Sequence, residues 1–142
     1  MKRLIYLCIF CIILTIFNSC KKSDNYNKTI VGNWELKQTF ASNGTHSYAK
    51  GNGNILKFTN SNYEIYRMGS LTKTGDYILV PDTTVQFSVC LILPSSQYKN
   101  RIVFDGKEDP RKTFVKTSEN ELAVVSGCFA NDSGELSTYE RQ

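Results

Sequence analysis

The sequence predicts an all-β domain, folded as an antiparallel barrel or sandwich of eight or nine short strands. After residue 30, apolar and polar residues alternate over short segments, and no segment sustains a 3.6-residue apolar period. Asn, Gly, Asp and Pro recur between these segments every 8–15 residues, as turns between strands require. A chain of 142 residues has the length of a single domain.

The predicted strands follow in order along the chain. The first covers residues 30–41, and residues 39–53, rich in Gly and Asn, form a loop after it. Residues 54–59 and 63–68 form a hairpin around the turn at 60–62. Residues 84–93 show the clearest alternation, which predicts a strand. The remaining predicted strands cover residues 73–80, 101–104, 113–116, 121–126 and 136–141.

The N-terminal part predicts export from the cytoplasm. Lys2 and Arg3 precede an apolar run at 4–17, which is shorter than the roughly 20 residues of a membrane-spanning helix. We therefore expect a signal peptide at 1–19, a flexible polar tether at 20–29 and a folded domain at 30–142. Without the signal the net charge falls from +4 to +2, which gives no indication of nucleic-acid binding.

The residues Phe17-Asn18-Ser19-Cys20 resemble the lipoprotein box of bacterial envelope proteins. This resemblance implies that Cys20 carries a diacylglycerol and that its new amino group receives a further acyl chain such as palmitate. Two or more chains anchor a protein stably to a membrane. Because Lys21 is not the Asp typical of inner-membrane retention, an outer-membrane anchor is favoured. The sequence does not specify whether the domain faces the periplasm or the cell surface. The alternative is a secreted protein in which Cys20 has no special role.

The segment Val31-Gly32-Asn33-Trp34 resembles the Gly-x-Trp signature of lipocalins and related calycins. The resemblance implies an up-and-down β-barrel of about eight strands, with Trp34 across its closed end. It also implies that Arg141, in the last strand, packs on the indole and gains cation–π attraction.

Further short motifs support the same family. Phe58 to Tyr63, Gly75-Asp76-Tyr77 and the closing Tyr139-x-Arg141 resemble segments of small lipocalin-like lipoproteins of Gram-negative envelopes. We expect no long C-terminal helix. An immunoglobulin-type sandwich is disfavoured because Trp34 precedes both remaining cysteines.

The sequence gives little indication of catalysis. His46 is the only histidine and lies in the predicted loop, without a partner for a triad or a zinc site. We expect no enzymatic activity, cofactor or metal. Cys90 and Cys128 either form a disulfide, which an oxidising envelope compartment favours, or remain two thiols.

Two functions are compatible with these features. In the first, the barrel binds a small apolar ligand through an aromatic-lined mouth. In the alternative, the domain docks to an envelope protein through loops 42–53 and 94–100, with Tyr48 and Tyr98 at the contact. The candidate ligand-lining residues of the first are Tyr63, Tyr66, Tyr77, Phe87 and Phe104.

Overall fold

The computed structural model of the protein describes residues 30–94 and 96–142. Within these residues the chain forms nine strands, a short α-helix after the fifth strand and a 3₁₀ turn at Phe129–Asn131. The strands are β1 (Gly32–Ala41), β2 (Gly44–Ser47), β3 (Ile55–Phe58), β4 (Asn62–Arg67), β5 (Ser70–Pro81), β6 (Asn100–Phe104), β7 (Thr113–Thr117), β8 (Glu121–Ser126) and β9 (Glu135–Arg141), and the helix is α1 (Val85–Val89).

Eight of the strands close into an antiparallel barrel. If β2 is set aside, each strand pairs with the next one along the chain, from β1 with β3 to β8 with β9. The last strand, β9, also pairs with β1 and closes the barrel. This confirms the predicted all-β, up-and-down barrel, and the described residues contain no long helix. The predicted hairpin of β3 and β4 is also present.

The ninth strand, β2, corrects the prediction of a loop between residues 39 and 53. The chain reverses directly after β1, where Ala41 pairs with Gly44, and β2 then runs back along the second half of β1. Ser42 and Asn43 form this two-residue turn, and Gly44 follows it with a φ of 107°, a conformation that favours glycine. The first half of the same β1 edge pairs with β3 instead.

The barrel encloses an aromatic core. Trp34 and Tyr63 are fully buried, and edge-to-face contacts join Phe58 to Tyr77 at 4.9 Å and Tyr63 to Phe104 at 4.6 Å between ring centroids. Aliphatic side chains from the other strands fill the remaining space. The buried members of this inner core are Ile30, Trp34, Leu36, Phe58, Tyr63, Tyr77, Ile102, Val115, Leu122 and Tyr139.

A second core lies on the outside of the barrel wall. Strands β7 and β8 are apolar on both faces: Val115 points inward, while Phe114 and Val125 point outward and are fully buried. The cover for this outer face comes from the connection between β5 and β6. The buried members of the outer core are Val85, Val89, Tyr98, Phe114, Ala123 and Val125.

The prediction of a strand at 84–93 is therefore wrong. Residues Val85–Val89 form helix α1, and the amide of Ser88 donates to the carbonyl of Thr84 at 3.0 Å. Val85 and Val89 are four residues apart, so a helix places both on one face, against the outer wall. The alternation of 85, 87 and 89 fits a strand locally, but the outer wall buries 85 and 89 and leaves 87 in solvent.

Residues 51–53 are held against the barrel by a buried carboxylate. Glu35 is on the outer face of β1 and accepts the amide protons of Gly51 at 2.9 Å and Gly53 at 3.1 Å. The bond from Gly51 lowers the pKa of Glu35 most, and the bond from Gly53 lowers it further, which outweighs the effect of burial.

Among the described residues, no helix has the length and apolar character needed to cross a membrane.

Candidate functional site

The five aromatic residues proposed to line a ligand site do not lie together. Tyr63 and Tyr77 are part of the packed inner core, and Phe104 packs against it. Two assignments are wrong. Phe87 lies outside the barrel on α1 and is 87% exposed. Tyr66 pairs with Ile55 in the neighbouring strand. Leu56 packs on the inner core, so its neighbour Ile55 faces outward, and Tyr66 shares that outer face.

A cleft opens where β6 and β7 separate. The two strands pair only over three positions, from Asn100 with Val115 to Ile102 with Thr113, although β6 continues to Phe104. The connection of residues 105–112 leaves the sheet here, and a cavity of about 190 Å³ remains. Its apolar part is formed by Ile102, Val103 and Phe104, and its polar lining by Lys73, Arg101, Asp105, Lys107, Asp109, Arg111, Lys112 and Thr113.

Lys73 enters this cleft from inside the barrel. It pairs across the sheet with Ile65, which packs on the inner core, so both point inward. Its ammonium lies 5.3 Å from the ring centre of Tyr63, 5.7 Å from that of Phe104 and 3.4 Å from a carboxylate oxygen of Asp105. Interaction with the Tyr63 hydroxyl, and then with Asp105, raises the pKa of Lys73. Lys73 is therefore a fixed positive charge at the inner side of the cleft.

Two further cations of the cleft are neutralised by carboxylates outside its lining. Arg101, whose side chain is 12% exposed, makes two 2.8 Å contacts with Glu108, and its Nε lies 3.1 Å from Asp82. Lys112 donates to the same Asp82 at 2.9 Å. Burial by itself would raise the pKa of Asp82, but hydrogen bonds from Thr84 and Lys112 outweigh it and lower this pKa to about 2.

Lys107 and Arg111 are the cations that the described part of the chain leaves available. Both are exposed on the rim, and within residues 30–94 and 96–142 no ion pair involves either side chain. They lie beside the apolar surface of Ile102 and Phe104. An exposed pair of cations can bind an anionic group of a ligand, while the apolar wall beside them contacts the hydrocarbon part attached to that group.

Sequence reasoning missed this cleft, although a signal was present. Residues 101–112 contain four of the five cations, but their mixture with Asp105, Glu108 and Asp109 resembles an ordinary solvated turn. The fifth cation, Lys73, is distant in sequence. Only the pairing of β5 with β6 brings it to the same place.

The residues proposed to close the barrel lie together. The guanidinium carbon of Arg141 is 4.0 Å from the ring centre of Trp34, and the indole Nε1 donates to the carbonyl of Ile30 at 2.7 Å. Arg141 also donates to the carbonyls of Val31 at 2.9 Å and Glu119 at 2.7 Å. Gly32 has a φ of 146°, which favours glycine, and a Cβ there would also displace this guanidinium.

Cys90 and Cys128 are joined by a disulfide, with their Cα atoms 5.0 Å apart. Cys90 directly follows α1, and Cys128 follows β8 after Gly127, whose φ of 72° ends the strand alternation. The bond attaches the outer connection to the barrel wall. Cys20, the expected lipid attachment site, and the segments 1–19 and 20–29 lie outside the described residues.

The remaining polar candidates are dispersed. His46 is exposed on β2, and the described residues contain no group of three or more His, Cys, Asp or Glu side chains that could hold a metal ion. Of the two tyrosines proposed for docking, Tyr48 is exposed, whereas the proposal for Tyr98 is wrong because it is buried in the outer core. Packing against Val85 and Val89 explains this burial.

Comparison of the chain with protein-family models, with curated proteins and with solved structures gives no match. The closed eight-stranded barrel is compatible with a lipocalin-like calycin fold. Its geometry also permits ligand binding.

Proposed function

We propose that this chain is a lipid-anchored protein of the cell envelope whose barrel binds a small molecule with an anionic group next to an apolar part. The observation that carries the proposal is the cleft between β6 and β7. There Lys107 and Arg111 have no carboxylate partner among the described residues, and Ile102 and Phe104 offer apolar surface. This refines the purely apolar ligand expected from the sequence.

The charges of the cleft favour an anion over a cation. Five cationic side chains and two acidic ones line it. Asp105 is engaged by Lys73 and by the hydroxyl of Tyr63, at 3.1 Å from its nearer oxygen, so it has little capacity to bind a further cation. A carboxylate or phosphate would gain charge-assisted hydrogen bonds from the two rim cations.

The size of the cleft limits the ligand. Its volume of about 190 Å³ is below the roughly 300–1,000 Å³ of sites that hold drug-sized molecules. The aromatic core fills the adjoining barrel interior. The ligand is therefore a small organic anion, or a longer amphiphile of which only the head and the first carbons enter.

The location is proposed from the N-terminal sequence. The apolar run at 4–17 and the box ending at Cys20 support export followed by lipidation, most simply at an outer membrane. The domain then acts as a tethered, non-enzymatic binding module. The membrane, through the lipid, and the small anion are its proposed partners.

Native mass spectrometry of the full protein, purified from its own envelope, tests the proposal. We expect an adduct of small-molecule mass that the double variant K107A/R111A loses, because removal of two charge-assisted contacts lowers affinity by roughly tenfold or more. The matched control K37A/K50A removes two exposed lysines elsewhere and retains the adduct. A clean apo mass for the wild type would contradict the proposal and favour docking of exposed loops to an envelope protein.

A further inference from the structure

Residues 83–94 and 96–98, here called the outer segment, expose two large apolar side chains. Phe87 is 87% exposed and Ile92 is 93% exposed, and no other large apolar side chain of the described residues is more exposed. Their neighbours Val85, Val89 and Tyr98 are fully or almost fully buried in the outer core. The segment thus has an inner side attached to the barrel and two apolar side chains directed into solvent.

The outer segment contains no charged residue. In the sequence, 83–98 is the longest uncharged run between Ile30 and Gln142, with Asp82 and Lys99 on either side of it. Asp82 is 10% exposed and already bound to Arg101 and Lys112. A surface that enters a hydrocarbon layer must lack unpaired charges, because their desolvation is costly. A surface selected for a soluble, charged partner has no such requirement.

The position of the two side chains is fixed by covalent and hydrogen bonds. Cys90 lies between Phe87 and Ile92 in the sequence, and its disulfide with Cys128 attaches the segment to the barrel. Gln86 Nε2 also donates to the carbonyl of Leu93 at 2.7 Å, across the turn that contains Cys90. A rigid segment loses little conformational entropy when its exposed side chains are buried by a partner.

We infer that the outer segment is a second membrane contact, in which Phe87 and Ile92 enter the interface of the bilayer that holds the lipid anchor. This inference rests on the anchoring part of the proposed function. The ten residue steps from Cys20 to Ile30 span at most about 36 Å, so the barrel stays close to the bilayer. Two side chains bind a bilayer weakly by themselves, but the anchor makes the contact intramolecular and raises its effective concentration.

Depth-dependent fluorescence quenching tests the inference on the full lipidated protein in phosphatidylcholine vesicles. Phe87→Trp and Ile92→Trp place a reporter at each exposed site, and the fully buried Trp34 provides a common background. Met68→Trp is the matched control, because Met68 is 84% exposed but lies in the turn between β4 and β5, separated around the barrel from the wall of β7 and β8 that carries the outer segment. Phosphatidylcholine brominated on its acyl chains serves as the quencher.

We expect bromolipid to remove at least about half of the emission of the reporters at 87 and 92, because interfacial side chains reach roughly 5–10 Å into the bilayer. The reporter at 68 keeps its emission. High salt leaves the quenching unchanged, since the outer segment carries no charge. Equal quenching at 87 and 68 would overturn the inference.

Vesicle flotation distinguishes the two levels of the proposal. Protein that fails to float with the vesicles would contradict the anchor itself. Protein that floats while the reporters at 87 and 92 remain unquenched would contradict only the second contact. A blue shift at 87 that grows with protein density, without bromolipid quenching, would show that two copies pack through this segment, and would overturn the inference as well.

Discussion

Asp82 is a single carboxylate on which several parts of the fold depend. It accepts the amide and hydroxyl of Thr84 at the start of α1, at 2.8 and 2.6 Å, and binds the cations of β6 and of the chain before β7. Each of these contacts favours the charged form. The residue thus connects the outer segment to the wall of the cleft.

The pKa of Asp82 predicts an acid-dependent loss of stability. Because its folded value is about 2 and its ordinary value 3.8, the unfolded chain takes up the proton first as the pH falls. Asp82 therefore contributes about 2 kcal/mol to the free energy of unfolding. This stabilisation is fully present above about pH 5 and decreases as the pH falls toward 2. We expect D82N to lose about that much unfolding free energy at pH 7 and to show a shallower acid dependence, measured by urea unfolding.

The control for this prediction is Glu119→Gln, at an exposed carboxylate in the turn between β7 and β8. We expect E119Q to lie within about 0.5 kcal/mol of the wild type. If D82N and E119Q unfold at the same urea concentration at pH 7, the role given to Asp82 is wrong.

Among the elements, the outer segment depends most on attachment at a distance. Helix α1 has five residues, and isolated helices of this length do not form in water. Its stability comes from Val85 and Val89 against the wall, and from the disulfide at its C-terminal end. The element therefore exists because of tertiary contacts rather than helix propensity.

Removal of the disulfide is expected to destabilise the protein measurably. The bond joins residues separated by 38 positions, and the loss of chain entropy in the unfolded state predicts about 4 kcal/mol. We expect C90S/C128S to lose roughly 2–4 kcal/mol in urea unfolding. Hydrogen exchange should accelerate more in residues 83–94 than in β3 and β4.

A thiol titration of the unreduced, denatured wild type provides the control. If Cys90 and Cys128 react as free thiols before reduction, the assignment of the bond is contradicted. A double variant as stable as the wild type would show instead that the outer core alone holds the segment.

At the scale of the whole molecule, barrel closure brings the two ends of the domain together. Strand β1 pairs with β9 over most of its length, and Arg141 covers Trp34. The guanidinium also bonds the carbonyl of Val31, before β1, and that of Glu119, in the turn between β7 and β8. A single side chain therefore connects three segments at this end of the barrel.

We expect R141A to lower the unfolding free energy by roughly 2–4 kcal/mol, from the cation–π contact and the charged hydrogen bonds. R141K retains the charge but not the planar fork, so it should recover less than half of that loss. Gly32→Ala, which introduces a Cβ against the guanidinium, should also destabilise the domain. An R141A protein with wild-type urea and thermal midpoints would contradict this account of closure.

The sequence by itself determined much of the barrel. Strand alternation located most of the strands, since each side chain of a strand faces either the core or the outside, and this constraint is local. The contact of Trp34 with Arg141 was predicted from resemblance. The consecutive apolar residues 122–125 carry a local signal of burial on both faces of β8.

Only the tertiary structure decided between helix and strand for residues 85–89, and only it assembled the cleft. Val85, Phe87 and Val89 fit both periodicities, and the position of the outer wall of β7 and β8 selected the helix. The cations of the cleft come from β5, from β6 and from the connection that follows it. Their charges become one site because strand pairing brings distant segments together, which no local pattern encodes.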